Sequence, residues 1–301
     1  MKNILKDCTL CPRNCHINRY IKTGFCRETN KIKIARAALH YYEEPPISGK
    51  DGSGAIFFSG CNLKCIFCQN NEISNNNYGE YISITRLSEI MLELQNKKAL
   101  NINLVTPTHF VPQIIKAIKK AKNNGLKIPI IYNSSGYENV ETIKMLNGYI
   151  DIYLPDFKYF NNEYALKYSN TPDYKEKAME ALKEMVKQTG PCIFDKKGLI
   201  KKGVIVRHLM LPGLENDTKD ILKYLYTTYH DDIYISIMNQ YTPPKNIKYL
   251  ELKNPIKKNI YEDIIDYALS LGINNAFCQM EGTQKDSFIP KFNLEGVKKR
   301  S

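Results

Sequence analysis

Three cysteines, Cys61, Cys65 and Cys68, are spaced C-x-x-x-C-x-x-C and follow directly on the apolar run Ala55-Ile56-Phe57-Phe58-Ser59-Gly60. Such a run reads as a buried strand, and a glycine at its C-terminal end lets the chain turn into a loop. Thiolates are the ligands of iron–sulfur clusters, and a cubane has four irons. Three thiolates on one short loop fill three corners and leave the fourth iron open to a small molecule. The competing readings, three packing cysteines or a zinc knuckle, give no reason for thiols to gather on a loop after a strand.

Four further cysteines, Cys8, Cys11, Cys15 and Cys26, form a C-x-x-C-x-x-x-C…C arrangement in the first 50 residues. Four thiolates suffice for tetrahedral zinc, which would be structural, or for a second iron–sulfur cluster, which could relay electrons. The spacing is that of neither a bacterial ferredoxin run nor a paired zinc ribbon. Cys192 and Cys278 read as isolated packing cysteines.

These residues need a scaffold. Apolar runs predict strands at 55–59, 102–106, 128–133, 150–154, 204–211 and 233–238. Apolar residues at helical spacing predict helices at 85–95, 111–122, 178–188, 220–229 and 261–271. Strands apolar on both faces and alternating with helices belong in a parallel sheet covered on its outside. Residues 192–206, with Lys197-Gly198 at their centre, read as a hairpin feeding the fifth strand. The first 50 residues are too short to bury a core, so a metal would be their staple. This divides the chain into an N-terminal four-cysteine module, 1–50, and an α/β domain, 51–301.

In parallel architectures the site gathers at the C-terminal strand ends. Here these ends are Thr106-Pro107-Thr108-His109, Asn133-Ser134-Ser135-Gly136-Tyr137, Pro155-Asp156-Phe157-Lys158, Arg207-His208 and Asn239-Gln240-Tyr241. Arg207 inside an apolar strand calls for a buried anionic partner. Asp156 reads as a site residue or a helix N-cap. His109 and His208 read as site residues or as satisfied core histidines, and Tyr41 and Tyr42 as a cover for the Cys-rich module.

The chain has 301 residues, 43% of them hydrophobic, and a formal net charge of +12. It shows no apolar stretch long enough to span a bilayer and no secretory leader pattern, which predicts a cytoplasmic protein without a membrane partner. Lys116, Lys119, Lys120 and Lys122 fall on the polar face of a helical pattern and read as a solvated surface. The basic balance also suits docking of an acidic electron donor such as flavodoxin or ferredoxin. There is no interleaved basic–aromatic motif of an RNA-binding module, so nucleic acid is not an expected partner.

The Cys61/Cys65/Cys68 spacing, with Phe67 before the third cysteine, resembles the radical S-adenosylmethionine (SAM) superfamily. That resemblance implies a partial (β/α)6 barrel, a [4Fe–4S] cluster whose open iron chelates SAM, and reductive cleavage of SAM to a 5′-deoxyadenosyl radical. It also implies an anaerobic or protected setting. The approach 49–61, Asp156-Phe157-Lys158 and Arg207 with Leu211-Pro212-Gly213 resemble pyruvate formate-lyase activating enzymes. Pro12-Arg13-Asn14-Cys15, Glu43-Glu44-Pro45-Pro46-Ile47-Ser48-Gly49 and Arg207-His208-Leu209 resemble a subfamily of their homologues.

Carried over, the resemblance places Asp156 and Lys158 at the SAM carboxylate and Asn133 and Ser134 at a shared cation site. It has Arg207 reach SAM from the fifth strand, and Tyr241 or Gln240 stand for a histidine. The usual Gly-Gly-Glu that binds the SAM ammonium is replaced by Thr106-Pro107-Thr108-His109, which puts Thr108 and His109 at that end. The implied activity is hydrogen abstraction from a glycine of a glycyl radical enzyme. The alternative is radical modification of another peptide, an RNA or a metabolite.

Overall fold

The computed structural model describes residues 4–279 and 290–298. In chain order the strands are β1 (Ile32–His40), β2 (Ser53–Phe58), β3 (Glu80–Ile82), β4 (Ile102–Val105), β5 (Ile130–Ser134), β6 (Ile152–Pro155), β7 (Ile193–Phe194), β8 (Ile200–Leu209), β9 (Tyr234–Met238) and β10 (Ala276–Cys278). The helices are α1 (Pro45–Ser48), α2 (Asn71–Ser74), α3 (Ile84–Asn96), α4 (Val111–Asn123), α5 (Val140–Met145), α6 (Asn162–Ser169), α7 (Tyr174–Thr189), α8 (Glu215–Tyr229) and α9 (Lys258–Ser270).

One sheet runs β10-β9-β8-β6-β5-β4-β2-β1-β3. The stretch from β2 to β9 is parallel and keeps chain order, with helices in every crossover. This is the expected partial (β/α)6 barrel. Every residue of β2, β4, β5 and β6 is buried, as a sheet covered on both faces requires. α3 and α4 present Leu87, Ile90, Met91 and Leu94, and Ile114, Ala117 and Ile118, to it. Lys116, Lys119, Lys120 and Lys122 face outward. β7 folds back on β8 as the expected hairpin, with Gly198 at φ +75 in its turn. Among the described residues no helix is long and apolar enough to cross a membrane.

β1, β3 and β10 are strands that periodicity did not reveal. β1 pairs antiparallel with β2 from Ile34↔Phe58 to His40↔Ser53, and β3 pairs with β1. The division drawn at residue 50 therefore cuts through the sheet. We propose instead that the N-terminal module ends near residue 31, before β1. Lys33 and Arg36 break the apolar signal of β1, and its pairing with β2 and β3 makes it a strand.

Candidate active site

The loop that carries the three cysteines is built from both sides. Gly60, at φ +81, donates its N–H to the Ile73 carbonyl at 2.9 Å and turns the chain out of β2. Lys64 N donates to Ser169 O at 3.1 Å and Ile66 N to Tyr168 O at 2.9 Å, so the C-terminal end of α6 fixes the middle of the loop. Leu63 and Phe67 are buried, and Phe67 meets the Tyr241 ring edge-on at 6.2 Å.

Each sulfur has a donor or a hydroxyl beside it. Leu63 N donates to Cys61 Sγ at 3.4 Å, Ser169 Oγ to Cys65 Sγ at 3.0 Å, and Ser74 Oγ lies 3.2 Å from Cys68 Sγ. Burial pushes the Cys61 thiol up to about 12 and the Cys65 thiol up to about 11, the latter against the pull of Lys158. Thiolates here need a cationic centre to hold them ionised.

All three cysteines line one cavity of about 530 Å³, within the range of roughly 300–1,000 Å³ usual for small-molecule sites. Asn133, Ser134, Asp156, Lys158 and Arg207 line the same cavity. Among the described residues, no three His, Cys, Asp or Glu side chains close on a single metal ion. Three thiols lining one cavity suit a multi-iron cluster with one iron left open.

The polar wall is an ion network. Asp156 accepts from Arg207 Nε at 3.0 Å and from Lys158 Nζ at 2.7 Å. Arg207 also donates to Glu43 Oε2 at 3.2 Å and to Asn133 Oδ1 at 2.6 Å. Burial pushes the Asp156 carboxyl up, but Lys158 and Arg207 outweigh it and hold it below the ordinary aspartate value. Burial likewise pushes Lys158 down, but Asp156 outweighs it and holds the ammonium above its ordinary value. Burial raises Glu43 and Glu44 in spite of Arg207. The end of β6 is braced by Tyr174 on α7, whose hydroxyl accepts from Lys158 N at 2.9 Å and lies 2.9 Å from Asp156 O. Asp156 is therefore a network residue and caps no helix.

Thr108, His109 and Tyr241 lie outside the cavity lining. Thr106 adopts φ +60, and the chain then enters a short 3-10 turn at Thr108–Phe110 that carries these side chains inward. Thr108 donates to Glu138 at 2.6 Å, and His109 Nε2 donates to Ser59 O at 2.7 Å. Burial, with Arg19 beside it, pushes His109 down to about 3, so it is a neutral core histidine. Tyr241 donates to Leu252 O at 2.6 Å. The neighbours that do line the cavity are Thr106 and Gln240. His208 is a satisfied core residue, between Phe157 O and Thr218 Oγ1, whereas the buried Nδ1 of His109 has no hydrogen-bond partner among the described residues.

The sequence reading missed Glu43 and Glu44 as site residues. They rise from the β1–α1 connection, and Asn103 on β4 steadies Glu43 at 2.9 Å. The signal was two acids ahead of Pro45-Pro46, but their access to the barrel depends on β1. Tyr41 and Tyr42 stand at this cavity, about half exposed, rather than covering the Cys-rich module. Cys278 lines it too, whereas Cys192 packs beside Val204.

The family model described as the Radical SAM superfamily matches residues 55–225. An uncharacterized protein of Methanocaldococcus jannaschii is 31% identical over 272 residues, covering 87% of this chain and 73% of that protein. Among solved structures, Streptococcus suis SuiB bound to S-adenosylmethionine superposes with a TM-score of 0.53 at 14% identity, covering 74% of this chain and 49% of that one. HydG, a maturase of the [FeFe]-hydrogenase, superposes with a TM-score of 0.52 at 15% identity, covering 76% and 50%. The chain thus spans about half the length of these solved structures.

Proposed function

The chain belongs to the radical SAM superfamily, and from that premise we propose that it activates a glycyl radical enzyme of the pyruvate formate-lyase type. Cys61, Cys65 and Cys68 would hold a [4Fe–4S] cluster, with SAM lying over the ends of β4, β5, β6 and β8. When bound, this pair supplies a 5′-deoxyadenosyl radical by one-electron cleavage of the SAM sulfonium, and the radical removes hydrogen from a glycine Cα.

One observation carries the reading. The three cysteines and the Asn133–Asp156–Lys158–Arg207 wall share a single cavity of about 530 Å³. Lys158, half-neutralised by Asp156, is the cation best placed for the SAM carboxylate. Arg207 has committed its donors to Glu43, Asn133 and Asp156. Its part is to position those groups rather than to reach SAM itself. The main chain at Thr106 takes the place of the family's Gly-Gly-Glu at the SAM ammonium. Tyr41 and Tyr42, large amphipathic rings at the cavity, suit an entering peptide loop. The basic surface suits an acidic flavodoxin or ferredoxin as electron donor.

A second reading has its own support. Glu44 is buried at the cavity, and its Oε2 has no hydrogen-bond partner among the described residues. A carboxylate so placed favours a small cationic metabolite as the hydrogen donor.

The test is anaerobic reconstitution with iron and sulfide, then dithionite and SAM, with 5′-deoxyadenosine quantified against a Cys61/Cys65/Cys68→Ala control. Product from the wild type alone supports the cofactor chemistry. A glycyl EPR doublet on a candidate partner supports activation. Deuterium moving instead from a labelled amine into 5′-deoxyadenosine supports the second reading. An intact cluster that binds no SAM overturns both.

A further inference from the structure

The proposed function leaves Cys8, Cys11, Cys15 and Cys26 without a role. Their segment is wound by Cys8 N to Ile17 O at 3.0 Å, His16 N to Cys8 O at 3.1 Å and Asn14 N to Cys11 O at 3.0 Å. Its apolar content is Leu5, Cys8 and Leu10 with Ile4 and Ile17 against them, too little to hold a fold. The cysteines converge nonetheless. A Cβ on Gly24 would stand 3.5 Å from Cys26 Sγ and 3.6 Å from Cys15 Sγ, so both sulfurs face one spot. Phe25 N donates to Cys15 Sγ at 3.4 Å. Cys8 and Cys11 are both near enough to Cys26 to interact electrostatically.

This set does not close on a single ion among the described residues. The same holds of Cys61, Cys65 and Cys68. A tetrahedral zinc with bonds of about 2.3 Å needs its sulfurs roughly 4 Å apart. Two cations with an unpartnered nitrogen each lie beside the set. Arg13 Nη2 and Lys64 Nζ are buried without a hydrogen-bond partner among the described residues, and both lie over the Phe25 ring, at 3.9 and 5.2 Å. Lys64 interacts with both Cys61 and Cys26. Buried cations call for a nearby anion, and a metal centre held by four thiolates carries net negative charge.

The two cysteine sets also touch. A Cβ on Gly60, the residue before Cys61, would stand 2.5 Å from the Cys26 carbonyl oxygen, and Arg13 Nε donates to Asn62 O at 2.8 Å. We propose that Cys8, Cys11, Cys15 and Cys26 hold a second iron–sulfur cluster that passes single electrons to the cluster at Cys61, Cys65 and Cys68. The relay half rests on the radical SAM reading. A low-potential one-electron donor of the flavodoxin or ferredoxin class reduces the second cluster, which is reoxidised as it reduces the first. Each electron cleaves one SAM into methionine and 5′-deoxyadenosine, the added hydrogen coming from substrate or, without it, from the medium.

The full chain is purified anaerobically as wild type and as Cys61/Cys65/Cys68→Ala. The triple variant is expected to keep about half the wild-type iron and sulfide, with an EPR signal on reduction. A zinc ion in its place, or no metal, overturns the second cluster whether or not the wild type cleaves SAM. For the relay, protein reduced and freed of reductant is mixed with SAM. The wild type is expected to yield about twice the 5′-deoxyadenosine per chain of Cys15→Ser, and the doubly reduced protein to show spin coupling that the triple variant lacks. Equal yields, or no coupling, overturn the relay. Cleavage absent from a protein that still shows two coupled clusters overturns the SAM reading instead.

Discussion

Arg207 and Asp156 are joined twice. Arg207 Nε donates to Asp156 Oδ1 at 3.0 Å, and the Arg207 carbonyl accepts from Phe157 N at 2.8 Å across an isolated parallel bridge between the two residues. The guanidinium fork thus locks the ends of β5, β6 and β8 together and gathers Glu43 from below.

Replacing Arg207 with Met leaves the buried Glu43 without a cation, held by Asn103 alone, and leaves Asp156 with Lys158 alone. Side chains here are 16% exposed for Arg207, 17% for Asp156 and 9% for Glu43, so solvent screening is modest. The expected loss is about 3–5 kcal/mol of stability, with SAM binding abolished. Arg207→Lys restores the charge but not the fork and is expected to recover only part of either. Thermal melts and equilibrium dialysis with SAM check this; a Met variant that melts and binds like wild type would sink the assignment.

Ser169 reaches the Cys65 sulfur from α6. Its hydroxyl donates to Cys65 Sγ and lies 2.7 Å from Tyr159 OH. Hydrogen bonds to cluster sulfurs favour the reduced state, so Ser169→Ala is expected to make the reduction potential more negative. A bond worth about 0.5–1.5 kcal/mol corresponds to a shift on the order of tens of mV. An EPR-monitored redox titration that finds no shift, or a positive one, counts against this role.

Glu138 is expected to confer a pH dependence on stability. Burial raises it to about 7, while Thr108, Ser134 and Tyr132 hydrogen bonds hold it back. Below the ordinary glutamate value the group is protonated in both folded and unfolded chains, and its full stability is present. Between about pH 4.5 and about 7 the unfolded chain ionises first, and about 3 kcal/mol is lost as pH rises. Glu28, raised to about 7 by burial, acts in the same direction. Asp156 acts oppositely, its contribution being lost as pH falls below the ordinary aspartate range. Glu138→Gln is expected to melt higher than wild type at pH 8 and to flatten the slope between pH 5 and 7. An unchanged slope refutes the claim.

Thr106 holds φ +60 at the cavity wall, a conformation costly for a β-branched residue. Thr106→Gly is expected to relieve on the order of 1 kcal/mol of strain, offset in part by greater freedom of the unfolded chain. Calorimetry should find the variant at least as stable as wild type. A loss beyond about 1 kcal/mol means the side chain contributes contacts that outweigh its backbone strain.

Much of this site was legible because its chemistry is local. The Cys61/Cys65/Cys68 spacing, the apolar runs of β2, β4, β5 and β6, and the polar ends Asn133, Asp156 and Lys158 are each read within a short segment, and side-chain pattern alone ranks them. Less local features were hidden. The carbonyls of Tyr168 and Ser169 that fix the cluster loop come about a hundred positions later in the chain. α6 itself has only a weakly amphipathic sequence, with Leu166 exposed.

Which residue types could bind a cluster and where the barrel strands run can be read from the chain alone, because thiolate spacing and strand apolarity are properties of short segments. Tertiary structure alone decided who faces the cavity. The left-handed turn at Thr106 sends Thr108 and His109 into the core although both directly follow a strand end. Pairing of β1 with β2 brings Glu43 to Arg207 across 164 positions, and the bare Gly60 lets Cys26 pack against the cluster loop. Side-chain direction follows backbone handedness and long-range pairing, and neither is written in the spacing of the residues themselves.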